Sequence, residues 1–371
     1  MALLPRASLR DVLRGAAPLI GSRLDHAAPR GLVSPVEARV ALGVVYGDVQ
    51  EEERRRIAQP GLGPALAALA GAAFAAAFPR AEAATSERPF VVSARLDGLT
   101  IERTIAELTT LSNAGRTRFF FFAHAHALNL AASDPDFREV LGKADRVLPD
   151  GIGIRIATAL LGTPLPHNLN GTDLLPLLCD EAARKQLPIV LIGAAPGVAT
   201  DCAESLRRAH PSLSIPLVEH GFVPEHDIPA LVERIRKLGP CLVLVGMGSP
   251  QQERWALRWL AGLPLSTVLT VGGLFDFYSG RIPRAPLFLR EAGLEWAFRW
   301  AQEPRRMTKR YALGNPVFLA RVALQKTGMA RTDHSKTEQP EQIEELIRPL
   351  RGQRSALNSA HLPRRRRHVG C

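Results

Sequence analysis

The feature that most constrains this chain is an alternation that begins at Val91. Short apolar runs at 118–123, 146–148, 189–192, 241–245 and 267–271 have the length and composition of buried strands. Between them, helical patterns occupy 101–112, 134–141, 174–185, 199–210, 228–238 and 251–260. Strands alternating with helices of this length imply βαβ units and a parallel sheet covered on both faces. The expected fold is therefore α/β, a Rossmann-like parallel sheet with helices on both sides. No fixed-period repeat interrupts it.

Most of these strands run into glycine-containing loops. Asp150-Gly151-Ile152-Gly153 follows the second, Gly193 to Gly197 the third, Gly246-Met247-Gly248-Ser249-Pro250 the fourth and Gly272-Gly273 the fifth. In open α/β sheets ligands bind beyond the carboxyl ends of the strands, so these loops should line one crevice. Glycine lets a backbone approach phosphate closely, and the following helix offers free N–H groups. A tight βα turn is the competing reading of any single loop. The late position of Gly246-Met247-Gly248 fits a dinucleotide fingerprint poorly, and there is no Walker A sequence.

The 371 residues include 47 Lys and Arg against 36 Asp and Glu, a net charge of +11. Such a balance calls for an anionic partner: nucleic acid, anionic lipid or a phosphorylated substrate. Cys179, Cys202, Cys241 and Cys371 show no paired spacing, which fits a reducing compartment better than a disulfide or zinc framework. No apolar run reaches the roughly 18–20 residues that cross a bilayer, and the Ala-rich stretch 65–78 reads as a helix. Residues 1–90 carry no chemical motif. Residues 91–295 form the expected catalytic domain. Residues 296–330 interleave Trp296, Phe298, Trp300, Tyr311 and Phe318 with basic residues, and 331–371 end in an arginine run that should be disordered.

Single residues suggest chemistry. Asp150 ends a strand in a glycine-flanked turn, where a carboxylate can take a proton from an attacking hydroxyl; a capping Asp is the plainer reading. Asp134-Pro135-Asp136 imitates a metal-binding D-x-D but reads better as the start of a helix. His124 and His126, two apart at a strand end, should face one side. Without a third ligand they suit a polar crevice lining better than a metal site. The aromatic and basic stretch could bind single-stranded nucleic acid, lie on an anionic membrane, or pack on the sheet.

Taken in order, the motifs resemble the WecG/TagA/CpsF glycosyltransferase family. The resemblance spans 91–312. It rests on Ala144-Asp145 with Leu148-Pro149-Asp150-Gly151-Ile152-Gly153, on Asn170-Gly171-Thr172-Asp173-Leu174, and on Gly193 to Gly197. It continues through Gly246-Met247-Gly248-Ser249-Pro250-Gln251-Gln252-Glu253 to Val271-Gly272-Gly273-Leu274-Phe275-Asp276, Arg284-Ala285-Pro286, Gly293-Leu294-Glu295-Trp296 and Gln302-Glu303-Pro304-Arg305-Arg306. The resemblance implies transfer of a sugar, often N-acetylmannosamine, its uronic acid or a hexose, from a UDP-sugar to an undecaprenyl-diphosphate-linked sugar. It implies a cytoplasmic enzyme on the inner face of the membrane that needs no metal or other cofactor. Asp150 would be the base and Gln252 would line the active site. Substrate contacts would come from His124, His126, Gly151, Asn168, Asn170, Thr172, Asp173, Gly193, Gly197, Gly246, Gly248, Ser249, Gln251, Gly272, Gly273, Asp276, Arg284, Arg299, Arg305 and Arg306. Two positions depart from the family pattern: His124 stands where Asn is usual and Asn168 where many members have Arg. The resemblance therefore implies a nucleotide sugar without fixing which. Nucleic acid is not expected as a partner, although a basic nucleic-acid-binding protein is one alternative and a non-catalytic family member another. Burial of the aromatic stretch in a homo-oligomer would be an alternative to the membrane.

Overall fold

The computed structural model describes residues 6–22, 29–34, 36, 49–58, 62–79, 81, 88–110, 116–286, 289–290 and 293–328. The tail expected to be disordered, 331–371, lies outside the described residues. Helices α1 (Leu9–Leu13), α2 (Val49–Ala58) and α3 (Leu62–Ala77) precede a short antiparallel pair, β1 (Phe90–Val91) and β2 (Ala94–Arg95). The alternating domain follows: α4 (Ile101–Thr109), β3 (Arg118–Ala123), α5 (Ala125–Ser133), α6 (Pro135–Gly142), β4 (Arg146–Pro149), α7 (Ile152–Leu160) and α8 (Gly171–Arg184). It continues with β5 (Ile189–Gly193), α9 (Val198–Ala209), β6 (Leu217–Glu219), α10 (Ile228–Lys237), β7 (Leu242–Gly246), α11 (Gln251–Leu260), β8 (Thr267–Thr270) and α12 (Leu274–Tyr278). Last come α13 (Glu295–Gln302), α14 (Pro304–Thr308), a π-helical turn (Lys309–Leu313) and α15 (Gly314–Lys326).

Six strands form one parallel sheet in the order β4-β3-β8-β7-β5-β6. Their residues alternate between two buried cores. Phe119, Phe121, Val190, Ile192, Val243, Val245 and Val268 face one core; Phe120, Phe122, Ile189, Leu191, Leu242, Leu244 and Leu269 face the other. A sheet buried on both faces needs runs that are apolar throughout rather than alternating with polar residues. That is why Phe119-Phe120-Phe121-Phe122 is a strand and not an amphipathic helix. Because all six strands run the same way, the expected glycine loops emerge at one edge.

Caps set where several helices begin. The Thr100 hydroxyl accepts from the Arg103 N–H at 3.2 Å and starts α4. Asp134 accepts from the Phe137 N–H at 2.9 Å, with Pro135 in the first turn of α6. Asp134-Pro135-Asp136 is therefore a helix start, and Asp134 also pairs with Arg254 at 2.7 Å.

Several elements differ from the expected pattern, among them α5, which the expected helices do not include. β6 has three residues and no apolar run to mark it. α7 starts directly after the Asp150-Gly151 turn, where the sequence reads as loop. α15 belongs to the core rather than standing apart. Its Phe318 and Val322 are 1% and 0% exposed and share the core of Phe121 and Val147. Buried Arg321 donates to Asn129 O and Oδ1, both at 2.9 Å, and to Ser133 Oγ at 3.0 Å. Gln325 joins β1 by accepting from Val92 N at 2.8 Å and donating to Phe90 O at 2.7 Å. At the other end, α3 docks on α7: Arg155 donates to Phe78 O from Nε (3.1 Å) and Nη2 (2.8 Å) and lies over the Phe74 ring.

Phe318→Ala leaves a cavity where α15 packs against α5 and α7. It should cost about 3–5 kcal/mol, read as a lowered midpoint in urea unfolding. A loss below about 1 kcal/mol would show that α15 is not part of the cooperative core.

Candidate active site

Asp150 stands at the carboxyl end of β4. Its N–H donates to Ala123 O at 3.0 Å, and the register pairs Ala123 with Pro149, so His124 and Asp150 leave adjacent strands side by side. The Asp150 carboxylate has no hydrogen bond or ion pair among the described residues. Burial pushes its pKa up to about 7; Arg310 opposes the shift, while Glu295 and Asp173 add to it. The next residue is held in place, since Gly151 N–H donates to Asn168 Oδ1 at 2.6 Å.

The two histidines come together for a reason other than strand alternation. β3 ends at Ala123. His124 caps α5, its Nδ1 accepting from the Ala127 N–H at 3.0 Å, and His126 lies in the first turn of that helix. Their rings stack with centroids 6.0 Å apart. Burial and the nearby Arg310 hold both below the usual histidine range, His126 at about 4. Both are neutral at pH 7. With Nδ1 accepting, the His124 proton sits on Nε2, which leaves a donor for a ligand. No group of three His, Cys, Asp or Glu side chains is arranged as metal ligands among the described residues.

The loops after β5, β7 and β8 pack backbone to backbone. A Cβ at Gly193 would lie 2.3 Å from Gly246 O, and one at Gly246 would lie 2.8 Å from Gly272 O. Gln252, 3% exposed, pins two of these loops: its Oε1 accepts from Met247 N (3.3 Å), Gly248 N (3.1 Å) and Gly272 N (2.9 Å). Its Nε2 donates to Glu253 Oε1 at 2.7 Å. The polar atoms of Gln252 are thus engaged with the protein, and the residue positions loops. Ser249 donates to Glu253 Oε1 at 2.8 Å, and the Ser249-Pro250 peptide is cis. Gln251 points to solvent at the start of α11. Gly197 caps α9 beside Arg281, which pairs with Asp201 at 2.8 Å.

The chain after Leu294 closes over this edge. Arg299 lies against Gly273, where a Cβ would come within 2.6 Å of Nη2, and over the Phe277 ring at 4.9 Å. Asp276 is raised by burial, with Arg306 and Arg299 opposing. Arg306 pairs with Glu303 at 3.0 Å; Arg305 is exposed. Arg284 pairs with Asp173, which lies in the first turn of α8, and reaches Glu295 at 3.5 Å, so it ties the start of α13 to the domain. Asn170 caps α8 through Thr172 N at 2.8 Å, and Tyr278 donates to Thr172 O at 2.8 Å. Sequence reasoning assigned no role to Arg310 or Glu295. Arg310 is carried by the π-helical turn, and its charge acts on Asp150 and both histidines.

A carboxylate raised by burial, cationic side chains and glycine loops gather at one sheet edge, the place where open α/β sheets receive phosphorylated ligands. The sequence profile of the glycosyl transferase WecG/TagA/CpsF family matches residues 51–332. An N-acetylglucosaminyldiphosphoundecaprenol N-acetyl-beta-D-mannosaminyltransferase of Bacillus spizizenii strain W23 is 30% identical over 227 residues, 61% of this chain and 87% of that protein. An enzyme of the same name from Staphylococcus aureus strain MW2 is 24% identical over 238 residues, 64% of this chain and 92% of the other. The chain belongs to the WecG/TagA/CpsF family and is a glycosyltransferase. The nucleic-acid-binding alternative is not supported.

Two outcomes test this geometry. Gln252→Leu keeps the volume but leaves three backbone N–H groups without their acceptor. Each buried group left unpaired costs about 1–3 kcal/mol, so urea unfolding should show a loss well above the roughly 0.5 kcal/mol of a surface change. For Asp150 the folded pKa lies above the ordinary carboxylate value, so stability falls as pH rises toward about 7. Asp150→Asn removes that cost, and at pH 8 its Tm should equal or exceed that of the parent. A markedly lower Tm would mean that the carboxylate is paired.

Proposed function

We propose that the enzyme transfers a sugar from a UDP-sugar to a polyprenyl-diphosphate-linked sugar at the membrane surface, for cell-surface or exopolysaccharide synthesis. The observation that carries this reading is the unpaired Asp150 carboxylate at the same sheet edge as the glycine loops, with the charge of Arg310 acting on it. The names of the two relatives support the acceptor class.

Asp150 accepts the proton of the acceptor hydroxyl as that oxygen attacks the anomeric carbon. The bond from this carbon to the diphosphate oxygen breaks, and UDP leaves with the bonding electrons. One displacement inverts the anomeric centre. A pKa near 7 suits a base that must be free at neutral pH yet able to hold a proton. Charge developing on the departing diphosphate needs fixed donors. Arg299 and Arg310 are at hand for it, and arginine offers a planar, permanently charged fork. His124 Nε2–H is placed to donate to a sugar oxygen. Gln252 acts through the loops that it pins.

No described helix is long and apolar enough to cross a membrane. Attachment would rest on the basic, aromatic surface of α13 to α15, where Leu294, Leu313 and Leu319 are 40%, 43% and 40% exposed and Arg305 and Lys309 are exposed. Each Lys or Arg near anionic lipid contributes about 1 kcal/mol, screened by salt. Binding to phosphatidylglycerol vesicles should weaken steeply between low and high salt; salt-insensitive binding contradicts this.

General-base catalysis contributes about 10²–10⁴-fold, so Asp150→Asn should lose a kcat of that order. In the parent, kcat/KM should rise with pH through about 7 as Asp150 loses its proton, and the limb should vanish in Asp150→Asn. A parent profile flat from pH 5 to 8, or an unchanged kcat in the variant, would remove Asp150 from this role. Activity should survive EDTA.

A further inference from the structure

The proposed reaction gives no job to Glu253, although it is the most deeply buried acid near the site. It is 0% exposed. Its Oε1 accepts from Gln252 Nε2 at 2.7 Å and from Ser249 Oγ at 2.8 Å. The other oxygen, Oε2, is buried without a hydrogen-bond partner, and so is the hydroxyl of Thr270, which approaches the same carboxyl group. The groups that touch it are Gln252, Ser249 and Thr270, and none of them is charged.

An ionised carboxylate there would be a fully buried charge with no cationic partner among the described residues, which is costly even with the Thr270 hydroxyl donating to Oε2. A proton on Oε2 removes that charge and also pairs both orphans. Oε2–H can then donate to Thr270 Oγ1, while Oε1 keeps its two donors. Burial favours the same species, holding the acid above its ordinary range.

The neutral acid sits at a junction. Ser249 belongs to the loop after β7, and Thr270 ends β8 just before Gly272. Glu253 also fixes which way the Gln252 amide points. With Nε2 held by Glu253, Oε1 must face the N–H groups of Met247, Gly248 and Gly272. A reversed amide would set NH₂ against three N–H groups.

We propose that Glu253 is a protonated, neutral carboxylic acid in the working enzyme and a positioning residue. Through Gln252, Ser249 and Thr270 it sets the spacing of the two glycine loops that receive the donor. The second half rests on the proposed function, which puts the donor diphosphate against those loops; the first half does not.

The sign of the pH effect follows from the neutral form. A carboxyl whose folded pKa lies above its unfolded value contributes stability at low pH that is lost as pH rises toward the folded pKa. Glutamine has the same shape and can accept at Oε1 and donate to Thr270, without titrating.

The test compares the full chain with Glu253→Gln and Glu253→Ala. Thermal unfolding is followed from pH 5 to 9, and UDP binding at pH 7 is measured by calorimetry. Glu253→Gln should match the parent at pH 6 and gain on it as pH rises, with UDP affinity within about twofold. Glu253→Ala should unfold at lower temperature throughout. If it folds at 20 °C, Glu253→Ala should also bind UDP at least tenfold more weakly. Glu253→Gln as unstable as Glu253→Ala would show that the charge is required and would overturn the neutral acid. The expected stability pattern with unchanged UDP affinity in Glu253→Ala would keep the brace and overturn its link to the donor. If the parent itself binds no UDP, the proposed donor fails while the stability arms still judge the brace.

Discussion

Everything at the sheet edge depends on how the Asp150 carboxylate is kept out of water without being neutralised by a partner. Burial alone would leave a protonated acid with no use as a base, and a tight ion pair would leave a weak one. The protein takes a middle course. Arg310 and Arg299 act on Asp150 through space, while Glu295 and Asp173 push the other way, and the balance sits at about 7. Glu295 and Asp173 are themselves held by Arg284. Burial, helped by Arg310, holds His124 and His126 below the usual histidine range. Positive charge therefore stays on guanidinium groups, where it suits phosphate, and the imidazoles remain hydrogen-bonding groups.

This balance needs a close-packed floor. The backbone contacts of Gly193 with Gly246 and of Gly246 with Gly272 allow three strand-end loops to share one small area. Loops packed so tightly have few degrees of freedom, and buried side chains remove those that remain. Gln252 joins the loops after β7 and β8, and Glu253 orients Gln252. On the open side, Arg299 uses the missing side chain of Gly273 to reach the same edge. The core position of α15, whose Phe318 and Val322 are buried, fixes the turn that carries Arg310.

Much of the sheet was legible because buried parallel strands are apolar on both faces. The run 118–123 can be little else, and five of the six strands of the sheet carry such runs. β6 has only Leu217-Val218-Glu219 and borrows its place from β5. α5 and α7 were illegible for a different reason. His124 reads as the last residue of a strand and Gly151-Ile152-Gly153 as a loop, and only tertiary packing turns both into helix starts. Asp150 stood out because a carboxylate after a strand and before glycine has few roles. Arg310 did not. It is one of several basic residues in 299–310, and it lies in a widened helical turn that no local pattern announces. Gln252 was legible as a site residue, but its work on the backbone of two loops is visible only in three dimensions.

The central claim is that an unpaired carboxylate at the end of β4 activates an acceptor for attack on a nucleotide sugar. The direct measurement is release of UDP from a panel of UDP-sugars, with and without a short polyprenyl-diphosphate-sugar, in the parent and in Asp150→Asn. The account predicts release with one donor only when the acceptor is present, and a loss of about 10²–10⁴-fold in the variant. UDP release that does not depend on acceptor, or that persists undiminished in Asp150→Asn, would contradict it.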